Sequence, residues 1–369
     1  MIRVLVVDDS VTVRKEIGRI LAGSPDMTVV GEAVNGLQAV DANRKLRPDV
    51  ILMDLEMPVM NGPEAVERIM ATRACPIIIL SSFVHRGEKF KTWDAMLAGA
   101  VACMEKSDVE NNPQRWEKEL IRTVRAAARI KVRKRRGILP QKKEEKRVAQ
   151  RPPDAASPFN VVAIGGSTGS ISVIAKIVSA FPADFRLPIL LVVHLAENQD
   201  NSFAQWLGGQ CRLPVAYARG GETLTGKRAG VLIAPSQRHM IVANGTIGLD
   251  ASEPVNYCRP SVDALFGSLA RDKQMTPIGV LLTGIGRDGA SGLKAIKNSG
   301  GYTICQDKST SIVFGMPGAA IQMGGAHKVL PDDEIASGIL EVIGDRDHQS
   351  SKISAGRFKA KHDIANRSK

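Results

Sequence analysis

Short apolar runs alternate with stretches of helical spacing along the first 130 residues. Residues 2–7, 28–33, 50–53, 77–80 and 100–104 have the largely apolar character of buried strands. Between and after them, residues 10–22, 36–46, 63–72, 89–97 and 114–131 carry apolar positions at helical spacing, with Ser10 placed as a cap for the first. Five strands alternating with five helices predict a parallel sheet covered on both faces, a (βα)5 domain. A second block begins near residue 158. There VVAIGGSTGSISVIAKIVSAF reads as a buried strand, a Gly-rich turn and an amphipathic helix. LPILLVV and PIGVLLTG are further buried strands, each followed by a loop and helical spacing. The fold class expected is α/β throughout: a (βα)5 domain, a linker, then a doubly wound, mostly parallel α/β domain.

Charge sharpens the domain map. The chain has 369 residues and a formal charge of +12, which by itself suggests a nucleic-acid binder. By segment the surplus moves elsewhere: residues 1–121 carry −3, 122–151 carry +11, 152–344 carry zero and 345–369 carry +4. The expected domains are therefore 1–121, a basic linker 122–157, a second domain 158–344 and a basic tail 345–369. The linker holds a run, KVRKRRGILPQKKEEKR, with few apolar residues and no aromatics to stack on bases, which argues against nucleic acid as a partner. Five scattered cysteines without CxxC spacing, no apolar run of membrane length and an acid-interrupted start predict a reduced, cytoplasmic setting and no transmembrane segment.

Chemistry gathers at strand ends in both domains. Asp8 and Asp9 follow the first strand, Asp54 the third, Ser81 the fourth and Lys106 the fifth. Converging carboxylates repel unless a cation is bound, and Mg²⁺ takes such oxygen ligands. A carboxylate beside Mg²⁺, a Lys and a hydroxyl can accept a phosphoryl group. The text VLVVDDS, MDLEMPVMNG, IIILSS and MEKS resembles the receiver domain of two-component response regulators. That resemblance implies Asp54 as phosphoacceptor and Asp9, Asp54 and the Glu56 carbonyl as Mg²⁺ ligands, with Asp8 assisting. It also implies Ser81 as switch hydroxyl, Lys106 as partner of the phosphoryl group and a sensor histidine kinase as phosphodonor. Two positions depart from the family pattern: Cys103 stands where an aromatic is common, and Ser107 where Pro is usual.

In the second domain Gly165, Ser167 and Gly169 fit G-x-S-x-G, a turn that exposes a nucleophilic Ser before helix N–H groups able to hold an oxyanion. His194 ends one apolar strand and Asp288 sits in a Gly-rich loop after another. A Ser needs a base, and an Asp fixes the imidazole of that base. His239 and His327 are rival bases. The chain order Ser, His, Asp differs from that of α/β-hydrolases. AIGGSTGS, VVHL, IAPSQRHM, RPSVDALF, LLTGIGRDGASGL and QDKSTSIVFGMPGAA resemble the catalytic domain of bacterial chemotaxis protein-glutamate methylesterases across residues 158–343. The resemblance implies a triad of Ser167, His194 and Asp288, with Thr168 and Ile285 on the oxyanion and groove side. Hydrolysis of γ-glutamyl methyl esters on methyl-accepting chemoreceptors follows, with deamidation of receptor glutamines at the same site and no cofactor for the esterase reaction. Ser170, Val193 and Ile285 replace common Gly, Gln and Met. Arg259 either lines the groove or caps a helix. The combined expectation is an esterase that phosphorylation activates; the alternatives are a response regulator whose second domain only binds protein, and one using its basic linker on nucleic acid or anionic membrane.

Overall fold

The computed structural model describes residues 1–81, 86–106, 113–130, 132, 158–195, 200–224 and 230–344. Ser107, most of the basic linker and the basic tail lie outside them.

Strands β1 (Ile2–Val7), β2 (Met27–Ala33), β3 (Val50–Asp54), β4 (Ile77–Ser81) and β5 (Ala102–Glu105) form one sheet in the order β2-β1-β3-β4-β5, every pair parallel. Helices α1 (Val11–Ala22), α2 (Gly36–Leu46), α3 (Gly62–Thr72), α4 (Arg86–Ala98) and α5 (Pro113–Ala128) connect and cover it. Local chemistry starts several of them: the Ser10, Asn35 and Asn61 side chains accept hydrogen bonds from Val13, Gln38 and Glu64 N–H groups. β3 and β4 are buried along their whole length, as strands covered on both faces must be. The α5 stripe Trp116, Leu120, Val124 and Ala127 is buried in a cluster with Val4, Leu52 and Leu80. A boundary at residue 121, drawn from charge, thus falls inside a packed helix: charge reports the outer face of α5, whereas packing reports its inner one.

The second domain is built on β6 (Val161–Gly166), β7 (Ile189–Val193), β8 (Val215–Tyr217), β9 (Val231–Ile233), β12 (Pro277–Leu281), β13 (Tyr302–Gln306) and β14 (Lys328–Leu330). Their order is β14-β13-β12-β6-β7-β9-β8 with parallel pairing throughout; the hairpin β10 (His239–Ala243) and β11 (Thr246–Asp250) stands apart and is antiparallel. Helices α6 (Ser170–Ala180), α7 (Asp200–Gln210), α8 (Val262–Arg271), α9 (Ala290–Asn298), α10 (Met316–Gln322) and α11 (Ile335–Gly344) complete the layers. The order reverses about β6, which has β7 on one side and β12 on the other. Ligand sites of doubly wound sheets lie at such a reversal.

The domains touch through α4, which packs on α6 and α7. Trp93 is buried against Phe203, ring centroids 5.0 Å apart, and its Nε1 donates to Ser202 Oγ at 3.2 Å. Trp206 Nε1 donates to Asp94 Oδ1 at 3.0 Å. Buried aromatics of this size carry most of the apolar area of a contact, and their two indole N–H groups are both satisfied.

Candidate active site and phosphoacceptor cluster

Ser167, His194 and Asp288 follow β6, β7 and β12, three adjacent strands, so one sheet edge brings them together. The turn holding Ser167 depends on close approach. A Cβ on Gly284 would lie 2.9 Å from the Ser167 Cβ and 2.1 Å from Met316 Sδ, so no side chain fits there. Gly169 starts α6 at φ 80° with no side-chain cap, leaving helix N–H groups next to Ser167. Thr283 Oγ1 braces this turn by donating to the Thr168 carbonyl at 3.0 Å and accepting from Val313 N–H at 2.9 Å.

Asp288 is 2 % exposed and saturated with donors. Its Oδ2 accepts from His194 Nε2 at 3.0 Å and Val262 N–H at 2.7 Å; its Oδ1 accepts from Ser261 Oγ at 2.7 Å, Asn256 Nδ2 at 3.1 Å and Asp263 N–H at 3.2 Å. Burial works against its ionisation, but the His194 and Ser261 hydrogen bonds outweigh it and hold the carboxyl below its ordinary range. For His194 burial disfavours the imidazolium. The hydrogen bonds to Asp288 and Cys258 prevail and raise the ring to about 9. The nitrogen that Asp288 leaves free, Nδ1, faces Cys258 Sγ at 3.7 Å.

The rival histidines are otherwise engaged. Buried His239 accepts from Ser261 N–H on Nδ1 at 3.1 Å, so its Nε2 donates to the Glu253 carbonyl at 3.1 Å. His327 meets Thr303 Oγ1 at 2.8 Å and stacks on Tyr302. Arg259 neither lines the Ser167 cavity nor caps α8. It binds Gln237 and the carbonyls of Ala251 and Ser252, while Ser261 caps the helix. Ile285 is half exposed on the loop after β12.

At the first sheet's edge the Asp8, Asp9 and Asp54 carboxylates lie within 4.8 Å of one another. Lys106 Nζ bridges Asp8 and Asp54, 2.7 Å from each. Burial, helped by the Asp8 charge, outweighs the pull of Lys106 and leaves Asp54 raised to about 6. Ser81 Oγ is buried and has no hydrogen-bond partner among the described residues. The Glu56 side chain pairs with Lys91, outside the three-carboxylate cluster, which leaves only its carbonyl to serve a metal. This all-oxygen set, short of neutralising charge, fits a hard divalent ion such as Mg²⁺.

Residues 162–339 match the CheB methylesterase family model and residues 4–112 the response regulator receiver domain model. The protein-glutamate methylesterase/protein-glutamine glutaminase 1 of Syntrophus aciditrophicus (strain SB) is 40% identical over 354 residues, 93% of this chain and 99% of that protein. The chain belongs to the CheB methylesterase family. A second relative, protein-glutamate methylesterase/protein-glutamine glutaminase 2 of Anaeromyxobacter dehalogenans (strain 2CP-C), is 40% identical over 92% of this chain and 97% of its own length. The crystal structure of the Thermotoga maritima CheB methylesterase catalytic domain aligns with 35% identity and a TM-score of 0.47, covering 50% of this chain and 99% of that one.

The two domains share a cavity of about 160 Å³. Ser167, Thr168, Ile171, His194 and Leu195 line one wall; Trp93, Met96, Val101, Ala102 and Cys103 of the receiver line the other. Cys103, at the position where receivers commonly carry an aromatic, is thus part of the cover over Ser167. A larger cavity, about 490 Å³, separates the end of α5 from Ile285 and the 308–314 loop. Several site residues carry no sequence signal. Asn256 and Tyr257 have φ of 52° and 63°, a turn that brings Cys258 onto His194 and Asn256 onto Asp288, and no glycine marks it. Among the described residues no helix is long and apolar enough to cross a membrane.

Proposed function

We propose that this protein hydrolyses γ-glutamyl methyl esters on methyl-accepting chemoreceptors, releasing methanol, and deamidates receptor glutamines at the same site. Ser167 attacks the acyl carbon and passes its proton to His194 Nδ1, the ring nitrogen that Asp288 leaves free. Asp288 holds the ring and stabilises the imidazolium, which then protonates the departing methoxide so that it leaves as methanol. N–H groups at Thr168 and Ile285 receive the oxyanion. Water repeats the sequence on the acyl-enzyme. A glutamine amide passes through the same tetrahedral oxyanion, so ammonia replaces methanol as leaving group.

Control comes from the receiver. A sensor histidine kinase supplies the phosphoryl group to Asp54. Asp8, Asp9, Asp54 and the Glu56 carbonyl would hold Mg²⁺, which when bound neutralises charge on the transferring oxygens. Lys106 pairs with the phosphoryl group, and the buried Ser81 hydroxyl, which has no partner among the described residues, donates to it. Lys106 then exchanges part of its contact with Asp54 for the phosphoryl oxygens, the β4–β5 edge shifts, and the α4–β5 cover over Ser167 loosens. A preference of a few kcal/mol for the uncovered arrangement is enough for this.

The observation that carries this reading is the shared cavity, in which Ser167 and His194 face Trp93, Met96 and Cys103. Methanol release from methylated receptors, measured with and without a small phosphodonor, tests it. Release is expected to rise with the donor and to vanish in Ser167→Ala. Equal rates with and without donor would refute the control, and an active Ser167→Ala the chemistry.

A further inference from the structure

Cys258 stands in an unusual relation to the proposed base. Its Sγ lies 3.7 Å from His194 Nδ1 and 3.5 Å from the Asn256 carbonyl, while His194 Nε2 is held by Asp288 at 3.0 Å. Sulfur, imidazole and carboxylate form a connected series, and the turn that sets it is rigid. Val255 and Cys258 exchange both backbone hydrogen bonds, at 3.1 and 2.9 Å, and Asn256 Nδ2 ties the turn to Asp263 at 2.7 Å and to Asp288 at 3.1 Å. Ser167 makes no side-chain hydrogen bond among the described residues, so in this state the free nitrogen of His194 faces a thiol, not the serine. A thiol beside an imidazole oriented by a carboxylate is a recurring arrangement for generating a thiolate.

We propose that Cys258 is an oxidant-modifiable thiol of the catalytic centre, taking an oxygen atom from a hydroperoxide to become a sulfenic acid. The thiol proton moves to His194 Nδ1. The thiolate sulfur attacks the terminal peroxide oxygen, an S–O bond forms and the O–O bond breaks. Sulfur gives up two electrons, and the leaving alkoxide or hydroxide departs as alcohol or water with the proton His194 had taken. The sulfenic oxygen then occupies the space before Nδ1, so His194 can no longer serve Ser167; this last consequence rests on the function proposed above, the modification does not. The other four thiols are poor competitors. Burial pushes Cys75, Cys103 and Cys305 up to about 12 and raises Cys211, and among the described residues none of them meets a histidine.

The test treats the full chain with hydrogen peroxide in the presence of a cyclic 1,3-dione that traps sulfenic acids, and reads adducts at all five cysteines by peptide mass spectrometry. Cys258 is expected to label at least tenfold faster than the other four, and His194→Gln to slow that labelling tenfold or more. Labelling of Cys258 no faster than that of the others, or unchanged in His194→Gln, overturns the proposal. In parallel, methanol release should fall in step with the Cys258 adduct, recover with a thiol reductant when the dione is omitted, and resist peroxide in Cys258→Ser. Full labelling with hydrolysis unchanged overturns the blocking role. Should the serine variant be inactive as made, the labelling ratios decide alone. An untreated enzyme that releases no methanol refutes the esterase reading and leaves the trapping result standing.

Discussion

Two buried aspartates, each at a strand end and each beside a cation-forming side chain, are treated in opposite ways by their domains. Asp288 in the second domain receives five hydrogen bonds and lies below the ordinary carboxylate range. Asp54 in the receiver has the Lys106 ammonium and a Leu55 N–H, shares the crevice with Asp8, and is pushed up to about 6. Both are desolvated; what differs is the number of donors. A carboxylate that must hold a histidine throughout a reaction is served by saturation, because its charge never has to leave. One that must itself become an acyl phosphate is served by spare lone pairs and by the room a metal would fill. The distinction supports the roles proposed for the two residues.

Breaking the better-satisfied site should cost most. Asp288→Asn keeps the shape but donates where His194 needs an acceptor, and is expected to lower kcat roughly 10³–10⁴-fold, in line with carboxylate-to-amide changes in Ser-His-Asp enzymes. The pH profile sharpens the point. The base must be neutral, so wild-type activity should climb as pH rises toward about 9, the value to which His194 is raised. The climb should move to lower pH in Asp288→Asn.

The link between the sites comes next. Trp93→Ala removes the aromatic that α4 buries against Phe203. Large core truncations of this kind cost about 3–5 kcal/mol when borne by one state alone. The covered state bears it here, so basal methanol release should rise roughly tenfold or more and phosphodonor stimulation shrink correspondingly. An unchanged basal rate would separate the two sites energetically.

Asp54→Asn should abolish stimulation by the phosphodonor, and it should also stabilise the receiver. A folded-state value raised to about 6 means that ionising Asp54 costs stability: nothing at low pH, more as pH rises between about 4 and 6, and a constant amount above that. The variant is expected to gain on the order of 2 kcal/mol over wild type near neutrality and almost nothing near pH 3.5, read by denaturant titration at both. The smallest effect belongs to Ser261→Ala, which removes one Asp288 donor and the α8 cap together. Two backbone N–H groups and Asn256 still hold Asp288. Stability should fall by about 0.5–2 kcal/mol, with only a severalfold loss in kcat.

The strand ends of both domains were legible because a buried parallel strand is a continuous apolar run, and polar residues just after it have one crevice to enter. Asp8, Asp54 and Lys106 meet there, and Ser167, His194 and Asp288 leave three adjacent strands. Residue spacing alone left His239 as a rival to His194, the base that the resemblance implies. Both flank apolar segments; what separates them is that His194 meets Asp288 and lines the Ser167 cavity, whereas both ring nitrogens of His239 are taken by Ser261 N–H and the Glu253 carbonyl. Nor did Arg259 declare itself, since its partners, Gln237 and the Ala251 and Ser252 carbonyls, are joined to it by folding alone.

By itself, then, the sequence determined local matters: the period of each element, the capped helix starts, the chemistry at each strand end and the near-neutral charge of the two domains beside a basic connector. Tertiary structure decided what depends on groups far apart in the chain. It set the order of strands about β6, carried α5 through the boundary that charge suggested, gathered five donors on Asp288, laid Trp93 and Cys103 over Ser167, and aimed Cys258 at His194. The physical reason is range. Periodicity and capping act over a few residues, whereas desolvation, hydrogen-bond saturation and the covering of one site by another domain arise only where distant segments compete for the same space.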